Sequence, residues 1–180
     1  MEIVKAEIDG LLIIKPNLFF DERGFFFESF SEKKYKEILG GYEFVQDNIS
    51  KSIKGTLRGL HYQAPPNAQG KLCQVLSGKV LDVAVDLRSD SPDYGKYASV
   101  ELSDENHFQF WIPPGFAHGF FVLSDEAVFS YKCTAYYSKP DERCINFSDP
   151  DIAINWGLGN KIVSNKDREG LMFKDIIKEF

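Results

Sequence analysis

The sequence predicts an all-β protein, an antiparallel sandwich or barrel for which a jelly roll is the first choice. Many short runs rich in Val, Phe, Tyr and Thr follow one another, separated by turns of Gly, Pro, Asp and Asn. The run from Leu81 to Leu87 alternates apolar and polar residues with the period of a strand. The 180 residues include 16 Phe, and abundant Phe favours strands that pack against other strands.

A helix interrupts the first strands. It is predicted over "SFSEKKYKEILGG", because Ser29 and Glu32 have the spacing of a capping box and Gly40-Gly41 supplies the stop. Short strands are predicted before it in "LLIIKP" and "RGFFFESF", and after it in "TLRGLHYQ".

The remaining chain is predicted to form strands up to a helical end. Ser77-Gly78 marks a tight turn between two of them. Asn165 is the candidate cap of a C-terminal helical segment over about residues 164–180. We expect one domain over residues 1–180, a jelly roll with short flanking helices. The strands concerned are "VLSGKVLDVAVDLR", "YASVELS", "FQFWI", "GFFVLS" and "AVFSYKCTAYY".

The charged residues limit the kinds of partner that the protein is expected to bind. The net charge is −6 and no Lys/Arg cluster is present, so a general nucleic-acid binder is not expected. The isolated cations Arg23, Arg58 and Lys71 suit a small anionic ligand such as a nucleotide. We expect Arg88 to be an ordinary surface charge.

The cysteines and the hydropathy pattern bear on the compartment. Cys73 and Cys133 lie in apolar strand-like runs, and an odd total of three favours free buried thiols in a reducing compartment. The first ten residues lack the apolar core of a signal peptide, and no run has membrane-spanning length. We therefore expect a cytoplasmic protein with no membrane partner.

The histidines do not favour a metal centre. His61, His107 and His118 lie far apart with no His-x-His pair, so we expect no bound metal. His107 follows a polar turn and is expected to be solvated. His118 follows a Pro-Gly turn, where loops often present functional groups. His61 is either a structural imidazole or a general base.

Several tyrosines are candidate proton donors. Tyr131, Tyr136 and Tyr137 occur in "FSYKCTAYYS", and any of them could donate from a cavity wall. Tyr is also common in strands, so the residues alone do not choose among the three.

Taken together, the motifs resemble the dTDP-4-dehydrorhamnose 3,5-epimerase family, a nucleotide-sugar branch of the cupin-like jelly rolls. "RGLHYQ" and "PPGFAHGF" are the most specific pair. The matching segments cover nearly the whole chain up to "SNKD", and they are "DERGFFFESF", "QDNISKSIKGTLRGLHYQAPPNAQGKL", "GKVLDVAVDLRSDSPDYGKY", "WIPPGFAHGF" and "YKCTAYYSKPDE".

The resemblance implies an isomerase that converts dTDP-4-dehydro-6-deoxy-D-glucose into dTDP-4-dehydro-L-rhamnose. It implies no cofactor and no metal. It also implies a homodimer to which an N-terminal strand segment, about residues 1–30, contributes.

Site roles follow from the same resemblance. His61 matches the general base, Asp167 the carboxylate that orients it, Tyr131 the proton donor on the opposite sugar face, and Lys71 the cation near the C4 oxygen. Arg23 and Glu28 are candidates for serving the partner's site. The positions that match substrate-binding residues are Arg23, Glu28, Gln46, Asn48, Arg58, His118, Glu142 and Lys166.

Two residues depart from the expected pattern. Gln74 and Cys144 stand where many members have Arg and Gly. Neither matches a catalytic position, so we expect the reaction to be intact and substrate preference to be the property affected.

The chemistry is consistent with these roles. Loss of a proton beside a 4-keto group gives an enolate, and inversion needs a base and an acid on opposite faces. The hydrogen leaves and returns as a proton, so no redox cofactor is required. A bulge at Gly59 would let Arg58 and His61 face one cavity. Whether Asp82 faces that cavity stays open.

Other activities stay open as well. The chain could invert one carbon only, C3 or C5, on a related nucleotide sugar. It could be a non-catalytic sugar-nucleotide-binding jelly roll, although a pure binder has no need of both His61 and Tyr131. A metal-dependent cupin enzyme is disfavoured by the scattered histidines.

Overall fold

The computed structural model describes residues 1–180 and confirms the all-β prediction. Two short α-helices accompany the strands, α1 (Glu32–Ile38) and α2 (Asn165–Arg168). Neither helix has the length and apolar character needed to span a bilayer. The strands are β1 (Glu2–Lys5), β2 (Leu12–Lys15), β3 (Phe19–Asp21), β4 (Gly24–Phe26), β5 (Gln46–Ile53), β6 (Thr56–Gln63), β7 (Lys71–Ser77), β8 (Lys79–Asp86), β9 (Tyr97–Ser103), β10 (Gln109–Ile112), β11 (Phe116–Val122), β12 (Glu126–Cys133), β13 (Glu142–Cys144) and β14 (Ile162–Val163).

Two sheets form the jelly roll. The first has the order β1-β2-β10-β7-β12-β5, and the second has the order β13-β6-β11-β8-β9 with β14 added beside β6. All pairings are antiparallel except that of β14 with β6. The hairpin of β3 and β4 forms a separate two-stranded sheet. Strands from opposite sheets can therefore present side chains to one interior.

Two clusters of buried apolar side chains form most of the core. Phe110, Phe120 and Phe129 are buried between the two sheets, which confirms the Phe-rich interior. The outer face of the second sheet is covered by the C-terminal part of the chain, through residues such as Ile145 and Trp156. Because both of its faces are covered, the second sheet contains strands with no solvent-facing side.

Strand β8 shows this double burial most clearly. Val83 and Val85 face the outer cluster as the alternation predicts, yet Asp82 and Asp86 on the other face have no exposed surface. Arg88 donates to Asp86 at 2.6 Å. The surface role expected for Arg88 is therefore wrong, since its guanidinium compensates a buried carboxylate.

Helix α1 forms where the sequence predicts it, but its cap differs. The N-cap is Ser31, and its side chain makes no capping hydrogen bond. The backbone carbonyl of Ser29 accepts from the Tyr35 hydroxyl at 3.1 Å and from Gln109 Nε2 at 2.7 Å. The predicted capping box at Ser29 is wrong because that residue anchors the approach to the helix instead.

The C-terminal segment is much less helical than predicted. Helix α2 ends at Arg168, and a single 3₁₀ turn spans Phe173–Asp175. The cap is Ser164, whose hydroxyl accepts from the Asp167 backbone N–H at 3.1 Å. Beyond α2, Leu171 bridges to Ile145 in extended conformation, so this segment covers the second sheet and does not continue the helix.

Strand β6 carries the predicted bulge. His118 pairs with His61 and Phe120 pairs with Arg58. Between these two pairs, β6 contains one residue more than β11. Gly59 lies inside it with φ +132°, a conformation that favours glycine. The bulge brings Arg58 and His61 to one cleft, which both residues line.

Gly59 should be intolerant of a side chain. A Cβ there would lie 2.5 Å from the Gly119 Cα, whereas a Cβ at Gly157, also at positive φ, meets nothing within 4 Å. We expect Gly59→Ala to lose about 1–3 kcal/mol more unfolding free energy than Gly157→Ala, the usual cost of overpacking. Chemical denaturation of both variants measures this, and equal losses would refute the close approach.

Candidate active site

Side chains from both sheets line one cavity of about 310 Å³. His61 comes from β6 in the second sheet, whereas Lys71 on β7 and Tyr131 on β12 come from the first. The cavity therefore has an imidazole on one wall and a phenol on the other, and the Lys71 amine comes from the strand next to that of Tyr131. A larger groove beside Tyr42 and Trp111 has no such set of groups.

A buried carboxylate orients the imidazole. Asp167 is only 3% exposed, and its Oδ1 lies 2.6 Å from His61 Nε2. The short helix α2 carries Asp167 to this position, and the Gly59 backbone N–H also donates to it at 3.4 Å.

The charge of Asp167 is stabilised in place. Burial acts to raise its pKa, but the hydrogen bonds from His61 and Gly59 outweigh it and hold the pKa of the Asp167 carboxyl below its ordinary value. An ionised Asp167 accepts a hydrogen bond from the Nε2–H of a neutral imidazole. Nδ1 of His61 is then the ring nitrogen with a free lone pair, which is the arrangement of a base.

Lys71 is a buried cation of the cavity wall. Its Nζ donates to the His61 carbonyl at 3.3 Å, and burial lowers the pKa of its ammonium. A buried amine with one backbone partner keeps further donors for a ligand oxygen.

Tyr131 retains its proton at neutral pH. Burial raises the pKa of its phenol to about 12. A protonated phenol in a cavity wall can donate a proton, and the imidazole of His61 lies on the opposite wall. Of the three tyrosines considered above, Tyr137 also lines the cavity, but it is more than half exposed and donates to Glu142 at 3.1 Å.

His118 lies behind the cavity surface. It is on β11 and is buried, so the loop position expected for it is wrong. Its Nε2 lies 2.5 Å from Asp82 Oδ1 and 3.7 Å from Cys73 Sγ. Asp82 therefore points into the interior, where its Oδ2 has no hydrogen-bond partner. Burial lowers the pKa of His118.

Other predicted binding residues surround the same region. Gln46 and Asn48 line the cavity and hydrogen-bond each other at 3.0 Å. Glu142 lines it as well and forms an ion pair with Lys166. Arg58 lies in the adjoining cleft, which His61 and Asp167 also line, and donates to Ser52 at 3.1 Å.

Two predicted binding residues lie apart from this cavity. Arg23 is paired with Asp21 at 2.5 Å in the exposed hairpin of β3 and β4, and Glu28 is paired with Lys34 at 2.7 Å. Neither lines the cavity of its own chain.

Gln63 and Gln69 also line the cavity, and neither is among the predicted site residues. Gln63 follows His61 by two residues on β6, so the strand period could have placed them on one face. Its amide donates to the carbonyls of Asn67 and Tyr136, so it joins the loop after β6 to the segment after β12. His107, expected to be solvated, is half-buried and packs on Phe25.

Comparisons with known proteins all point to one family. A family model described as dTDP-4-dehydrorhamnose 3,5-epimerase matches residues 5–175. A Shigella flexneri protein of that name is 56% identical over 97% of each chain. A Legionella pneumophila dTDP-6-deoxy-D-glucose-3,5-epimerase, solved with dTDP-4-keto-L-rhamnose, has a TM-score of 0.95 and 53% identity, covering 99% of this chain and 95% of its own. An Elizabethkingia anophelis dTDP-4-dehydrorhamnose 3,5-epimerase has a TM-score of 0.93 and 50% identity, covering 100% and 99%.

Proposed function

Because the chain belongs to the dTDP-4-dehydrorhamnose 3,5-epimerase family, we propose that the His61–Asp167 pair and Tyr131 perform that family's reaction here. The chain is an isomerase that converts dTDP-4-dehydro-6-deoxy-D-glucose into dTDP-4-dehydro-L-rhamnose. The observation that carries the residue assignment is that His61 and Tyr131 line one cavity from different sheets.

His61 removes the proton. The hydrogens on C3 and C5 are acidic because each carbon is next to the C4 carbonyl. Nδ1 of His61 takes one of them, and the carboxylate of Asp167 stabilises the imidazolium that forms. The lowered pKa of Asp167 keeps that carboxylate ionised when the ring becomes charged.

Lys71 stabilises the intermediate. Proton loss leaves an enolate whose charge lies on O4, and a fixed donor nearby lowers the energy of that charge. One such donor is worth about 3 kcal/mol of transition-state stabilisation. Burial of Lys71 supports this role, since an electrostatic contact is stronger away from water.

Tyr131 returns a proton on the other face. A single group cannot lie on both faces of a sugar ring, so inversion requires a second acid. The phenol of Tyr131, which is protonated at neutral pH, supplies that proton. Before the second carbon reacts, the imidazolium of His61 releases its proton to solvent and the phenolate of Tyr131 takes one up from solvent.

The nucleotide part is held by the polar residues around the cavity. The amides of Gln46 and Asn48 suit hydrogen bonds to a base or sugar, and Arg58 suits a diphosphate. His118 supports the substrate from behind the cavity surface. The Glu142–Lys166 ion pair lies at the rim, where it can close over the ligand.

Arg23 and Glu28 belong to the site of a partner subunit in this proposal. The hairpin of β3 and β4 pairs with no other strand of its own chain. It exposes four phenylalanines, Phe19, Phe20, Phe25 and Phe26, each more than half exposed. Such an apolar surface favours burial against another molecule, and a second copy of this chain is the proposed occupant.

The cysteines and the net charge bear on the proposed compartment and on the excluded partners. The three cysteines are free, which supports the cytoplasm as the proposed location. The net charge of −6 disfavours nucleic acid as a ligand.

If the proposed function is correct, the sugar takes up deuterium from solvent at two carbons. In heavy water, the chain acting on dTDP-4-keto-6-deoxyglucose should give product labelled at both C3 and C5, followed by proton NMR. His61→Asn should slow the labelling by about 10²- to 10⁴-fold, because it removes the general base.

His107→Asn is the matched control, since His107 lies outside the cavity, and it should label at the native rate. Label at a single carbon would make the chain a one-carbon epimerase. No label in the native protein, with the sugar nucleotide still bound, would make it a binder.

The dimer is tested through its mass. The 20.5 kDa chain should sediment with twice that mass, and Phe20→Glu with Phe26→Glu should shift it toward the single-chain mass by placing charge in the interface. Leu158→Glu, at a side chain that is 100% exposed, should leave the mass unchanged. A native protein that sediments at the single-chain mass would contradict the proposal.

A further inference from the structure

A thiol adjoins the His61–Asp167 pair. Cys144 lies on β13, directly opposite His61 in the strand pairing. A ring nitrogen of His61, a carboxylate oxygen of Asp167 and the Cys144 Sγ all lie within 4.8 Å of one another. The fold thus places a nitrogen, an oxygen and a sulfur atom, each able to bind a metal ion, close to one another.

This donor set selects a particular class of ion. A thiolate and an imidazole favour Zn²⁺ and similar divalent transition metals, whereas Mg²⁺ and Ca²⁺ prefer oxygen ligands only. Tetrahedral Zn²⁺ with bonds of about 2.0–2.3 Å needs ligand atoms roughly 3.3–3.7 Å apart. His61 Nε2 and Asp167 Oδ1, at 2.6 Å, would separate by about 1 Å to admit the ion, a shift within side-chain reach.

Access and charge agree with binding. The His61 side chain is 30% exposed and borders both the cavity and the adjoining cleft, so an ion can reach it from solvent. A Cys144 thiolate and the Asp167 carboxylate would neutralise a divalent cation. A second cluster of Cys73, Asp82 and His118 offers the same donors, but all three are buried.

We propose that Cys144, His61 and Asp167 form a Zn²⁺-binding site whose occupation switches off epimerisation. The inhibitory part rests on the proposed function of His61 as base. Binding replaces the hydrogen bond between His61 and Asp167 with two metal bonds. The Cys144 thiol loses its proton to solvent, and the imidazole proton moves from Nε2 to Nδ1.

That proton shift is the reason for inhibition. Nδ1 is the atom assigned as base, and once it is protonated it cannot accept a proton from the sugar.

Co²⁺ titration of the purified full chain tests binding without reference to activity. A thiolate bound to Co²⁺ gives a charge-transfer absorption band, which the native protein should show with one equivalent. Cys144→Ser and Cys144→Ala should lack the band, whereas Cys73→Ser should keep it. Loss of even an outer-sphere partner weakens metal affinity about 10- to 100-fold, so loss of the thiolate should weaken it at least as much.

Zn²⁺ inhibition is measured in parallel, as the activity of each variant relative to its own metal-free rate. The Zn²⁺ concentration for half inhibition should rise at least about tenfold in both Cys144 variants and stay unchanged in Cys73→Ser. No band in the native protein, a band that depends on Cys73, or equal inhibition of all variants would overturn the proposal. Absence of metal-free epimerisation in the native protein would refute the proposed function instead, and the Co²⁺ band would still report on the site.

Discussion

The hydrogen bond between His61 and Asp167 is the interaction on which the site depends. It joins a bulged strand of the second sheet to a one-turn helix more than one hundred residues later in the chain. Each side is itself held in place. Gly59 allows the bulge that directs His61 inward, and the Ser164 hydroxyl caps the helix that carries Asp167. The orientation of His61 therefore requires the C-terminal segment to be folded against the sheet, and the apolar cluster around Ile145 and Trp156 holds that segment in place.

The interior of the jelly roll accepts an unusual amount of charge for a protein core. Lys71, Asp82 and His118 are all buried between the sheets. Groups of this kind are costly to remove from water unless they are paired, and here Asp82 is paired with His118 while Lys71 has a single backbone acceptor. An amine with unused donors beside a cavity suits a developing enolate oxygen, which is the role proposed for Lys71.

Much of the fold could be predicted because its strands carry local signals. The alternation in β8, the Ser77-Gly78 turn and the sequence around α1 each specify their structure within a few residues. The sequence does not predict strand β5, because one face of "QDNISKSI" is wholly polar, and Ile49 and Ile53 on the other face are exposed at a sheet edge. The C-terminal helix was predicted where an extended segment forms, since the bridge of Leu171 to Ile145 is a long-range contact with no local pattern. Arg88 was misjudged for the same reason, as its partner Asp86 is buried only through the tertiary fold.

The sequence predicts which residues belong to the candidate site better than it predicts where they lie. The motifs around His61 and Tyr131 marked both residues, but their placement in different sheets and one cavity follows from strand order alone. Asp167 was indicated by family resemblance, and no spacing in the chain links it to His61. Arg23 lies in the exposed hairpin of β3 and β4 and Glu28 lies just after it, so neither lines the cavity of its own chain, and no local pattern predicts that separation.

The most direct measurement of the central claim is the configuration of the sugar recovered from Tyr131→Phe in heavy water. The account predicts that His61 still exchanges the hydrogens at C3 and C5, returning deuterium on the face from which it took the proton. Starting sugar should therefore become labelled with its configuration retained, while the inverted product forms about 10²- to 10⁴-fold more slowly than in the native protein. Inversion at the native rate in Tyr131→Phe would contradict the account, because the acid on the opposite face would then have to be another group.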